Sequence, residues 1–87
     1  MTPRQVELAR HALGLPNKRR RSYRNHFVAG RTHEDYGDWT AMVAAGFARQ
    51  KSGSALSGGD DFFWLTEAGA RRALKARESL DLEDFPA

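Results

Sequence analysis

Near the start of the chain, Val6, Ala9 and Leu13 recur on one helical stripe, with Leu8 and Ala12 beside it. Thr2 followed by Pro3 reads as an N-cap and first helical position, and Gln5 stands where a capping box needs its side chain. Gly14 offers a left-handed stop, reinforced by Pro16, so the pattern predicts a helix from Pro3 to Leu13. The run from Asn17 to Ser22 holds four adjacent cations that repel one another, which predicts a solvated loop. Beyond it, Tyr23, Phe27 and Val28 fit a short strand ending at Gly30, and a short helix fits equally well.

A second helix follows Thr32 or His33, with Glu34, Asp35 and Asp38 near its positive end. Trp39, Met42 and Val43 give it a buried face, with Tyr36 a turn earlier and Gly46 as the stop. Phe47 to Lys51 is short enough for a strand, and Phe62 to Leu65 is a dense aromatic strand signal. The turn-rich residues Ser52 to Asp61 between them predict a hairpin with an extended tip. Thr66 caps a third helix with Glu67 in its first turn. Its apolar face is Ala70, Ala73 and Leu74, and Arg71, Arg72, Lys75 and Arg77 crowd the exposed side and later turns.

Because strand side chains alternate, Phe62, Phe63, Trp64 and Leu65 place large residues on both faces of one strand. One face belongs to the core. The other pair, Phe63 and Leu65 or Phe62 and Trp64, is exposed, covered by the C-terminal tail, or met by another chain as a homodimer or partner contact.

At 87 residues there is room for one core, so residues 1–78 are expected to form one domain and residues 79–87 an acidic tail. From Glu78 onward the chain has four acids and no base, which predicts fraying, with Leu80, Leu82 and Phe85 able to dock. Cysteine is absent, which excludes disulfides and thiolate metal sites and suits a reducing compartment. No apolar run reaches the roughly 18 residues needed to span a bilayer, and no secretory pattern opens the chain, so a cytoplasmic protein without a membrane partner is expected. The net charge of +3 hides an asymmetry: residues 1–31 hold eight Lys/Arg against one acid, and residues 32–87 six against ten.

A helix ending Ala45-Gly46-Phe47, a hairpin, and then Trp64-Leu65-Thr66-Glu67-Ala68-Gly69 resemble the second half of bacterial winged-helix proteins, over roughly residues 38–75. In its compact, basic-then-acidic make-up the chain also resembles small bacteriophage and prophage proteins. The resemblance implies a small α+β domain of three helices with a β-hairpin wing between the second and third, and with it DNA binding. The helix in the recognition position departs from that pattern, since Asp35 to Gly46 contains no Arg, Lys, Asn or Gln for bidentate base contacts.

The candidate nucleic-acid surface is therefore Lys18, Arg19, Arg20 and Arg21, extended by Arg24, with Tyr23 placed to stack on a base. Arg49 and Lys51 flank the hairpin as wing cations would, with Asp60 and Asp61 weakening the field on the return side. His11, His26 and His33 lack the spacing of a helical metal site, so neither metal nor cofactor is expected. Ser54 and Ser57 lack a nucleophile elbow, and no paired carboxylates stand in a pocket-forming segment, so the chain is not expected to be an enzyme. The expected function is a small DNA-binding or regulatory accessory protein. The alternative is a phage-encoded module that docks on a host or phage protein or nucleoprotein complex.

Overall fold

The computed structural model describes residues 1–53 and 58–86. The first helix, α1, is Pro3–Leu13. The Thr2 hydroxyl accepts a 3.1 Å hydrogen bond from the Gln5 amide, and the Gln5 side chain accepts one from the Thr2 amide. Gly14 ends α1 at φ 79°. A Cβ there would collide with the Tyr23 ring, so both conformation and space call for glycine.

After α1 the chain becomes extended rather than helical, which decides between the two readings of residues 23–28. Strand β1 is Phe27–Ala29. The second helix, α2, is Tyr36–Ala44 and begins later than Thr32 or His33 would place it. Turn hydrogen bonds occupy the intervening backbone: the His33 amide donates to Gly30, the Tyr36 amide to His33, and the Asp35 amide to His33 Nδ1 at 3.0 Å.

Strands β2, Ala48–Lys51, and β3, Asp61–Leu65, form the hairpin, and residues 54–57 of its predicted tip lie outside the described residues. The sheet is antiparallel in the order β1-β3-β2, with Phe63 opposite both Phe27 and Gln50. The side chain of Asn25 extends the pairing before β1, accepting from the Leu65 amide at 2.8 Å and donating to its carbonyl at 3.0 Å. The third helix, α3, is Glu67–Ala73, started by the Thr66 hydroxyl accepting from the Gly69 amide. Leu74 is already extended, so α3 stops short of the predicted Lys75 and Arg77 turn.

The inner sheet face, Ala48, Phe63 and Leu65, shares one core with residues of all three helices, among them Leu13, Trp39, Met42 and Ala70. Phe27, Trp39 and Phe63 lie in series, the first pair tilted and the second stacked, with centroid separations of 5.1 and 5.6 Å. Each fully buried ring of this kind stabilises the fold by about 1.5–3 kcal/mol. The face question is settled too: Phe63 and Leu65 point inward, Phe62 is exposed and Trp64 half-buried.

The tail does not fray. Ser79 bridges Arg21 in parallel, Ser22 donates its amide to the Ser79 carbonyl at 3.0 Å, and Phe85 is buried. Counting acids missed the anchor. Glu78 is paired in two hydrogen bonds, 2.5 and 2.8 Å, with Arg10, a buried residue of α1. Arg10 Nη1 also donates to the Ala73 carbonyl at the end of α3, so one guanidinium joins α1, α3 and the tail.

Candidate nucleic-acid interface

The basic loop is held in place rather than free. Asn17 Nδ2 donates to the carbonyls of Gly14 and Arg21 at 3.0 and 2.8 Å, closing the loop on itself. Ser22, placed in a solvated loop by its neighbours' charge, is buried, and its hydroxyl accepts from the Asp81 amide at 2.8 Å. The tail is thus the second wall against which the loop is built.

Between loop and tail lies an open groove of about 530 Å³, lined by Lys18, Arg19, Arg20, Arg21, Tyr23 and Arg77 among others. Its lining holds five cations and one carboxylate, Asp81. That carboxylate already accepts from the Glu83 amide at 2.8 Å. Among the described residues, no acid lies within ion-pair distance of Lys18, Arg19, Arg20, Arg21 or Arg77. Unpaired cations crowded around one concavity suit a polyanion, because their mutual repulsion is relieved when phosphates enter.

Backbone conformation marks the same place. Arg20 and Arg77 have φ of 54° and 68°, a left-handed conformation that costs a non-glycine residue of order 1 kcal/mol. Both line the groove from opposite walls. Arg77 was not legible as a site residue, because it lies far along the chain and is brought across by the Arg20-Ser79 and Ser22-Ser79 hydrogen bonds together with the Arg10-Glu78 pair.

Of the remaining candidates, Tyr23 is at the groove and Arg24, Arg49 and Lys51 are elsewhere. Arg24 donates to the His11 carbonyl at 2.7 and 3.3 Å, closing the C-terminal end of α1, and its guanidinium lies 5.3 Å from the Tyr23 ring centre. Tyr23 is 62 % exposed at the groove edge. Arg49 and Lys51 are exposed on β2, on the outer sheet face opposite Trp64 and Phe62, and do not line the groove.

Of the acids at the start of α2, Glu34 is exposed, while Asp35 and Asp38 turn toward α1. Asp35 is buried and accepts from Arg4 at 2.7 Å, and Asp38 accepts from Gln5 at 3.4 Å. They fasten α2 to α1 instead of projecting into solvent. Asp61 fastens the hairpin base: the Tyr36 hydroxyl, the Gly53 amide and the Gln50 side chain donate to it, holding its carboxyl below the usual range. Hydrogen bonding to Arg10 lowers the Glu78 carboxyl from 4.5 to about 2.

Among the described residues, no three His, Cys, Asp or Glu side chains converge as a metal-binding group, and no helix is long and apolar enough to cross a membrane. Ser54 and Ser57 lie outside the described residues. No protein family, no curated protein and no solved structure matches this chain.

Proposed function

We propose that this protein is a small, non-enzymatic DNA-binding accessory protein of winged-helix type that holds phosphates in the groove between its basic loop and its tail. One observation carries the reading: Lys18, Arg19, Arg20, Arg21 and Arg77 converge on one concavity without ion-pair partners among the described residues. The winged-helix reading is supported by the order α1, β1, α2, hairpin, α3, and by β1 pairing with the returning hairpin strand. No helix lies between β1 and α2, where residues 31–35 make turns and a bend. The solvent side of α2 offers Gly37, Ala41 and Ala44, none of which reads base edges. Binding is therefore backbone-directed and weakly sequence-dependent.

Electrophoretic shift of a duplex at low salt, repeated over a salt series, tests this. Changing Arg19, Arg20 and Arg21 together to Ala is expected to flatten the slope of log affinity against log salt by about 2–3 units. Absence of binding, or an unchanged slope, overturns the reading.

A further inference from the structure

We infer that the outer face of the sheet is a stacking surface for the unpaired bases of single-stranded nucleic acid, with Phe62 and Trp64 as platforms and Arg49 and Lys51 as phosphate contacts. The inference extends the nucleic-acid reading above but stands on other residues. Strand alternation sends Asp61, Phe63 and Leu65 inward and leaves Phe62 and Trp64 on the opposite side. Phe62 is flanked in register by Val28 of β1 and Lys51 of β2, and Trp64 lies opposite Arg49. Val28 and Phe62 are 39 % and 37 % exposed. Two rings in the centre thus each face a cation on the edge strand.

Most other aromatic rings are already engaged. Phe27, Tyr36, Trp39 and Phe63 contact one another, and Tyr23 and Phe47 each carry an arginine. Among the described residues, neither Phe62 nor Trp64 has another ring packed on it or a cation over its ring face, the edge-strand cations lying beside them. Side chains two apart on a strand stand about 6.6 Å from each other, so the exposed Phe62 and the exposed part of the half-buried Trp64 can each meet a separate base. Bases within a duplex hide their faces in the stack, so an aromatic sheet face suits unpaired ones.

Charge decides among occupants. A second copy docked face to face would set against each other two surfaces that both carry Arg49 and Lys51, which like-charge repulsion opposes. A neutral apolar partner would strip water from both cations without pairing them. A single strand supplies base faces for the rings and phosphates for the cations. Asp60, beside Gly30, marks the hairpin end of this surface.

The full chain carries its own reporter, because Trp39 is fully buried and Trp64 is not. Titration with oligothymidylate is expected to quench tryptophan fluorescence saturably, and Trp64→Leu to remove the quench. Phe62→Ser, checked for folding by circular dichroism, is expected to weaken oligothymidylate binding about fivefold or more, with Val28→Ser as a second variant expected to weaken it less. Duplex affinity should stay within about twofold, since phosphates dominate it. Oligothymidylate binding without quenching overturns the inference, as does equal quenching by polyglutamate, a concentration-dependent dimer that buries Trp64, or equal loss of duplex binding in Phe62→Ser. If Arg19, Arg20 and Arg21 prove dispensable while these outcomes hold, the groove reading falls and the stacking surface stands. If nucleic acid is not bound at all, both fall.

Discussion

Arg20 and Arg77 hold a backbone conformation that glycine adopts without strain, yet each places a cation on the groove. Arg20→Gly separates these two facts. It should leave the melting temperature unchanged or raise it by up to about 5 °C, corresponding to roughly 1 kcal/mol of relieved strain. It should also reduce the salt slope of DNA binding by about one unit. A lower melting temperature with unchanged binding would make Arg20 structural. Arg10 shows the opposite assignment: it is cationic and on α1, but its charge is spent on Glu78 and the Ala73 carbonyl. Arg10→Ala leaves the Glu78 carboxylate with the Lys75 amide but no countercharge, a change expected to cost about 3 kcal/mol in chemical unfolding.

At the scale of elements, α3 crosses the start of β2 so closely that a Cβ on Gly69 would collide with the Phe47 carbonyl oxygen. Backbone there cannot yield as the end of a flexible side chain would. Gly69→Ala should destabilise the protein by about 1–3 kcal/mol, readable as a lower urea midpoint, even though alanine favours a helix over glycine. An unchanged midpoint would show that α3 is free to shift. The tail is the other element whose role inverts expectation. Removing residues 79–87 deletes Asp81, Glu83 and Asp84, which simple electrostatics says should tighten DNA binding. Because Ser79 and Asp81 hold the loop and line the groove, the truncated chain should instead bind DNA more weakly and melt earlier. Tighter binding would mean that the loop keeps its shape alone.

For the whole molecule, acid stability follows from Glu78 and Asp61, whose carboxyls are both lowered in the folded state. A lowered carboxyl contributes stability above its unfolded value and loses it as pH falls. For Glu78 the window runs from the ordinary 4.5 down to about 2. Unfolding free energy measured across pH should be shaped little by this pair above about pH 5 and fall steeply through that window. Glu78→Gln should remove much of the fall, leaving the Asp61 component. A mutant profile parallel to the original would exclude the Arg10 pair as the cause.

Much local chemistry was legible where neighbours in sequence are neighbours in space, the turns over residues 30–36 that delay α2 being the exception. The caps at Thr2 and Thr66, the stop at Gly14, and the α2 face of Trp39 and Met42 all depend on spacings of three or four residues. Other features depend on partners far along the chain. The sequence showed that one pair of Phe62, Phe63, Trp64 and Leu65 would face away from the core, but only packing against the helices chose Phe62 and Trp64. It marked the cations Lys18 to Arg21 but gave no sign of Arg77 beside them or of the buried Arg10-Glu78 pair that holds the opposite wall. Helix caps and apolar stripes act within a few residues and are written into the sequence; a groove between residues 18–23 and 77–81 exists only once the core has brought them together.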